Sequence, residues 1–422
     1  VKGGTVMASP EFAHAVHVEV RGLQPDRWYW YRFTSGDAQT VVARTRTTPA
    51  AGAQPERLRL LVASCQHYEW GHFAAQRHMA REDADLVCFL GDYIYESPAA
   101  RPVRTHEAGE PMTLEAYRNR YARYKSDAQL QAAHAACPWI VTWDDHEFDN
   151  NYAALVPENA TDVEGFALRR AAAYRAFYEH TPVRRASIPR GPDMLLYRRL
   201  AFGRLATLHV LDGRQYRSDQ ACGDRRQPPC DAWAREDRTM LGLTQERWLG
   251  RGLASSRATW NVLANQVVMT PIDLDPGAGE MYNMDSWSGY PAARRRLTGL
   301  IEERRVPNVV TLTGDVHASY AGEVPADART EGSPAVAVEY VATSLTSDGD
   351  GFEAHPAVVA AMSTHPWLKY HNARRGYLRC EITADGWHTD YRILPNVQSV
   401  DVDISTHASF LTPTGASRVE RA

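Results

Sequence analysis

Hydrophobic and polar positions divide the chain into two patterns. Residues 14–20 alternate apolar and polar, residues 27–33 form an aromatic run and residues 41–47 a third, with a Gly22-Leu-Gln-Pro25 turn between the first two. A period of two predicts β-strands. Residues 48–55, rich in Pro, Ala and Gly, read as a linker. From residue 56 short apolar runs at 58–63, 85–90, 139–142, 205–211, 260–264, 309–313 and 336–341 alternate with stretches of helical character at 73–81, 114–135, 164–179, 244–256 and 291–305. Runs this apolar predict strands buried on both faces, and their alternation with helices predicts a layered α/β fold. Residues 376–383 and 387–394 flank an Ala384-Asp385-Gly386 turn, a hairpin signal. Residues 400–422 carry Thr, Pro and Gly with no amphipathic period, so 401–422 reads as a C-terminal tail and a helical lid is not expected there.

Composition narrows the class. The chain has 422 residues, 44% hydrophobic and 23% charged, which suits one large core plus a small second domain. The expected division is a small β module over 1–50, a catalytic domain over 56–400 and the tail. Gly-Leu-Gln-Pro followed by Trp28-Tyr-Trp-Tyr-Arg-Phe33 resembles the later strands of a fibronectin-III-like module. Three strands fall short of the roughly seven of a closed sandwich, so the sequence is expected to begin inside that module. No run approaches about 18 apolar residues, so no transmembrane segment is expected. Net charge is −4, and no basic field signals nucleic acid or a membrane surface. Cys222 and Cys230 close a short loop containing Gly and Pro, which predicts a local disulfide and an oxidising compartment. Cys88, Cys137 and Cys380 lie in apolar surroundings and read as core.

The polar chemistry follows the apolar runs. One ends in Ser64-Cys65-Gln66-His67, the next in Gly91-Asp92-Tyr93-Ile94-Tyr95-Glu96, and the third in Trp143-Asp144-Asp145-His146-Glu147 through Asn150 and Asn151. Two more end in Asp212-Gly213-Arg214 and in Gly314-Asp315-Val316-His317. A lone Gly-Asp after a strand is ordinarily a turn with an Asx bond. Here five of the runs deliver chemistry at their carboxyl ends, where open α/β sheets bind ligands. Adjacent carboxylates such as Asp144 and Asp145 repel one another without a cation. Asp, Tyr, His and Cys together are metal-ligand types, and a thiolate beside a phenolate calls for a strong Lewis acid such as iron(III).

These stretches resemble the PhoD-like alkaline phosphatases, a branch of the metallophosphoesterases related to purple acid phosphatases. The resemblance rests on Phe89-Leu-Gly-Asp-Tyr-Ile-Tyr-Glu96, Pro138-Trp-Ile-Val-Thr-Trp-Asp-Asp-His-Glu147, Asn150-Asn-Tyr152, Leu211-Asp-Gly-Arg-Gln-Tyr-Arg217, Gly314-Asp-Val-His-Ala-Ser319 and Arg374-Arg-Gly-Tyr377. It implies a metallophosphoesterase-type layered β-sandwich core flanked by helices. It also implies a catalytic iron(III) with calcium beside it: Cys65, Asp92, Tyr95 and His317 as iron ligands, Asp92 bridging, Asp145 and Asp315 on the calcium side, and Asp144 and Asn150 as further calcium-side candidates. The implied reaction is hydrolysis of phosphomonoesters, with phosphodiesters as further substrates, by attack of a metal-bound hydroxide. His146 is the candidate donor to the leaving oxygen and Arg214 the candidate phosphate clamp, with Arg375 a further candidate for that task. The alternative on the same fold is a phospholipase D-like phosphodiesterase, which no amphipathic lipid-docking helix supports. A module that only sequesters phosphate or metal is the third reading, and the full ligand set argues against it. The resemblance also implies bacterial export by the twin-arginine route.

Overall fold

The computed structural model describes residues 2–106, 109–159, 164–275, 277 and 279–422. Two mixed sheets form its centre. In the first, the parallel strands Arg57–Ala63, Leu86–Phe89 and Trp139–Val141 lie side by side. The antiparallel strands Gly376–Thr383, Gly386–Ile393, Ser405–Pro413 and Glu420–Arg421 extend that sheet from Arg57–Ala63. In the second, Ala206–Val210, Trp260–Ala264, Val309–Thr313 and Ala335–Val341 are parallel, with antiparallel strands Arg198–Phe202 on one flank and Ser319–Pro325, Leu368–Arg374 and Gly351–Phe352 on the other.

Alternation along each strand explains why the sheets stack. In Arg57–Ala63, Leu58, Leu60 and Val62 join Leu208, Val210, Val262, Val310, Leu312 and Val338 in the core between the sheets. Leu61 and Ala63 face the other way, into a cluster with Phe73, Tyr117, Tyr121, Leu130, Tyr174 and Phe177. These come from or flank the helices Ala74–Met79, Leu114–Lys125, Ala128–Ala136 and Phe166–His180. The second sheet does the same: Leu263 and Val309 pack with Leu249, Leu253, Leu297 and Ile301 of the helices Gly242–Ala254 and Pro291–Arg304. The result is helix, sheet, sheet, helix. Two-sided burial is why these strands read as continuous apolar runs.

Three expectations change. The helix expected over 114–135 is two helices, because Asp127 caps a new start: its carboxylate accepts from Gln129 N at 2.8 Å and Leu130 N at 3.3 Å. Residues 14–20 form no strand. Their side chains dock instead, with His17 stacked on Tyr178 (centroids 4.1 Å apart) and bonded to Val183 O at 2.8 Å. Most of the expected tail is sheet, since Ser405–Pro413 pairs along Gly386–Ile393. In the 1–50 region the structure holds two short antiparallel pairs, Trp28–Tyr31 with Ala43–Arg46 and Thr34–Ser35 with Ala38–Gln39. The Cys222–Cys230 disulfide is present, and Cys65, Cys88, Cys137 and Cys380 are free and buried.

Asp127 also pairs with Arg104 at 2.6 Å. Asp127→Ala is expected to lower stability by about 1–2 kcal/mol, the usual effect of a lost N-cap, with turnover per folded molecule retained. Chemical denaturation beside an activity assay checks this, and an unchanged midpoint would remove the capping argument.

Candidate metal centre

The parallel strands of both sheets end on the same side of the sandwich. Ser64 and Ser344, each just past a strand of a different sheet, form an isolated bridge there. Glycines permit the approach. A Cβ on Gly314 would lie 2.7 Å from Ser64 Cβ, and one on Gly91 would lie 2.5 Å from Asp144 N. The residues at these ends are held in left-handed backbone: Cys65 (φ 59°), Asp92 (57°), Asp315 (69°) and His317 (51°). Side-chain-bearing residues enter that region at a cost of about 1–3 kcal/mol each, so the surrounding structure must enforce it.

Ligand atoms of Cys65, Asp92 and His317 lie within 4.8 Å of one another. Tyr95 Oη joins them, donating to Asp92 Oδ2 at 2.8 Å, 3.1 Å from His317 Nε2, and accepting from Ser347 Oγ at 2.7 Å. His317 Nδ1 donates to Asp348 Oδ2 at 2.6 Å, which fixes the ring with Nε2 toward the cluster. Burial, reinforced by Asp92, pushes the Cys65 thiol and the Tyr95 phenol well above their ordinary pKa values. Burial likewise raises Asp92, whose Oδ1 has no hydrogen-bond partner. A polyvalent cation is what lets such donors deprotonate together in a dry site.

A second group adjoins it. Asp144, Asp145 and Asp315 bring ligand oxygens within 4.8 Å, and Asp92, Asp145 and His146 form an overlapping set. Asp144 Oδ2 and Asp145 Oδ1 are buried without a hydrogen-bond partner. Burial pushes Asp144 up to about 6 and Asp315 well above the carboxylate range. Burial acts upward on Asp145 too, but Arg214 and His146 outweigh it and hold that carboxyl low. The all-oxygen donors fit a hard divalent cation.

Arg214 sits inside this charge cluster, fully buried. Its guanidinium pairs with Asp144, with Asp285 at 2.8 Å, with Asp315 at 3.3 Å and with Asp145 at 3.6 Å. The expected phosphate clamp is thus turned inward, because the carboxylates delivered by neighbouring strands need a fixed counter-charge. Arg375 is also buried, donating to Gly349 O at 2.8 Å and His317 O at 2.6 Å, so it braces the His317 turn instead of reaching outward. The Asn150 side chain bonds Glu158, outside the carboxylate cluster. His146 lies against the Tyr95 ring (centroids 4.1 Å) with Nδ1 2.7 Å from Glu96 Oε2. Burial acts to lower its pKa, but Glu96, Asp145 and Asp92 outweigh it and raise it well above the histidine value.

Three contributors went unnoticed in the sequence. Glu147 accepts from Asp92 N at 3.0 Å, Tyr93 N at 2.5 Å and Asp144 N at 2.8 Å, tying two strand ends together. Its place inside Asp-Asp-His-Glu was the available signal. Asp348 orients His317, and Asp285 joins Arg214 to Arg217. Neither had a motif, because each acts on another side chain across loops far apart in sequence.

Comparison with known proteins agrees with this geometry. The family described as PhoD-like phosphatase matches residues 60–391, and PhoD-like phosphatase, N-terminal domain matches residues 1–49. The chain is 48% identical over 417 residues to alkaline phosphatase D of Bacillus subtilis (strain 168), covering 97% of this chain and 72% of that protein. A solved structure described as "Structure of PhoD" superposes with a TM-score of 0.98 at 47% identity, covering 100% of this chain and 82% of that one. GAP50, the anchor in the inner membrane complex of Plasmodium, aligns over 86% of this chain and 90% of its own at 10% identity and a TM-score of 0.42, a likeness too slight to carry inference.

Arg214→Gln leaves Asp144, Asp145, Asp285 and Asp315 facing one another. In chelator-treated protein this is expected to lower stability by about 3–5 kcal/mol, as breaking a buried pair does, and added divalent cation is expected to recover part of it. Denaturation with and without chelator checks this. Unchanged stability with a raised KM would restore the clamp reading.

Proposed function

The chain belongs to the PhoD-like phosphatase family of metal-dependent phosphoric ester hydrolases, and on that premise we propose that it hydrolyses phosphomonoesters, with phosphodiesters as further substrates, at a site that holds ferric iron beside calcium. The observation that carries this reading is the convergence of Cys65, Asp92, Tyr95 and His317 beside an all-carboxylate group. A thiolate and a phenolate suit iron(III), whereas Asp144, Asp145 and Asp315 suit calcium. Asp92 belongs to both the Cys65 and the Asp145 groups, which makes it the shared ligand. Such ions, when bound, supply Lewis acidity toward water and phosphoryl oxygens.

The chain's own residues do the rest. Asp348 holds His317 by Nδ1, so that Nε2 is the ring nitrogen directed at the cluster. Ser347 and Asp92 fix the Tyr95 ring oxygen, and Glu147 holds the Asp92 and Asp144 turns at one separation. His146, anchored to Glu96 and with its pKa raised by the surrounding carboxylates, is the donor to the leaving-group oxygen. Arg214 keeps the carboxylate group together, leaving outward-facing oxygens for the cation. The disulfide fits an oxidising compartment, so export is part of this proposal. Among the described residues no helix is long and apolar enough to cross a membrane.

Metal analysis with an absorption spectrum tests the site. The iron-replete protein is expected to show a visible charge-transfer band that Tyr95→Phe removes, and a band that persists in that variant would take Tyr95 out of the ligand set. Asp92→Ala is expected to lose both bound metal and turnover of p-nitrophenyl phosphate and its bis ester while remaining folded by circular dichroism. Full metal content with normal turnover would overturn the shared-ligand role.

A further inference from the structure

A cavity of about 440 Å³ opens beside the carboxylate cluster. Its lining includes Asn151, Asp285 and Asp315 together with Arg225, Arg226 and Gln227. The arginines sit in the loop closed by the Cys222–Cys230 disulfide. That loop is tied down at several points. Arg226 and Gln227 pair with Asn283 and Tyr282 in a short antiparallel ladder, and Met284 N donates to Arg225 O at 2.8 Å. Asn151 Nδ2 donates to Asp224 Oδ2 at 2.6 Å, and Trp233 stacks on Tyr282 with centroids 5.2 Å apart. A loop so braced loses little entropy when its side chains engage a ligand.

The two guanidiniums are not spent on internal pairs. The Arg225 side chain is 82% exposed, and its one ion pair among the described residues, with Glu158, is long at 3.9 Å. Among the described residues the Arg226 guanidinium has neither a hydrogen bond nor an ion pair. Every other arginine close to the cluster is buried and committed: Arg214 and Arg217 to Asp285, and Arg375 to backbone carbonyls. Asp285 is therefore already balanced, and the free positive charge of this cavity lies on its outer rim. Guanidinium forks match phosphate and carboxylate geometry.

The geometry points to a second anion subsite at Arg225 and Arg226, which selects substrates bearing another phosphate or carboxylate beyond the ester being cleaved. This rests on the phosphoesterase reading and specifies its substrate class. The cleaved phosphoryl group lies at the carboxylate cluster, and the remote anion lies across the cavity against the rim.

The test compares kcat/KM for propane-1,3-diol bisphosphate with that for propane-1,3-diol monophosphate in the metal-loaded protein. The parent is expected to favour the bisphosphate by about tenfold or more, the scale of a charge-assisted contact. The double variant Arg225→Ala, Arg226→Ala is expected to lower that ratio about tenfold, whereas Arg225→Lys, Arg226→Lys retains most of it because charge is kept. A parent that turns over both compounds with equal efficiency overturns the subsite and leaves the phosphoesterase reading standing. So does a double alanine variant that slows both substrates equally. A parent that hydrolyses neither compound overturns the phosphoesterase reading itself.

Discussion

Negative charge brought together at the strand ends is the constraint to which the rest of the structure answers. Asp92, Asp144, Asp145 and Asp285 are buried and Asp315 is mostly so, all in one small volume. At low effective dielectric their mutual repulsion is severe. The protein meets part of it internally. Arg214 and Arg217 pair with the carboxylates from within, and backbone N–H groups converge on Glu147. What they leave unmatched are three buried oxygens, Asp92 Oδ1, Asp144 Oδ2 and Asp145 Oδ1, which have no hydrogen-bond partner among the described residues. Metal affinity and internal ion pairing are therefore two halves of one balance.

The same balance accounts for the backbone. Cys65, Asp92, Asp315 and His317 occupy left-handed conformations that no isolated turn would favour for these residues. Three of the four are clamped by a contact from another strand end: Cys65 N donates to Gly91 O at 3.1 Å, Asp92 N to Glu147, and the His317 carbonyl accepts from Arg375. Folding energy from the core between the sheets is thus spread into a few bent turns, so the donors are already turned inward before any ligand arrives.

Charge also separates by depth. Arginines that touch the cluster are buried and paired, while Arg225 and Arg226 stand on a disulfide-braced rim with little to hold them. A floor that binds cations and a rim that carries positive charge give one cavity two recognition surfaces of different kind. In the proposed reading the floor takes the reacting group and the rim the remainder of the substrate.

The periodic parts of this protein were legible from the chain alone. Strands buried on both faces leave uninterrupted apolar runs, and those runs marked both the sheets and the points where Cys65, Asp92, Asp145 and His317 emerge. The Cys222–Cys230 pairing was equally local. One local signal was missed, the Asp127 cap that breaks an apparently continuous helix; the other signals failed where the deciding partner was distant, as residues 405–413 became sheet only because Gly386–Ile393 offered an edge and residues 14–20 found side-chain docking in place of a strand partner. Residue types and their order determined which donors exist and that they follow strands. Only tertiary structure decided that Arg214 faces inward as a counter-charge, that Glu147 holds the Asp92 and Asp144 turns and Asp348 the His317 ring, and that Arg225 and Arg226 stay exposed, because each depends on which charges lie within a few ångströms once the two sheets stack.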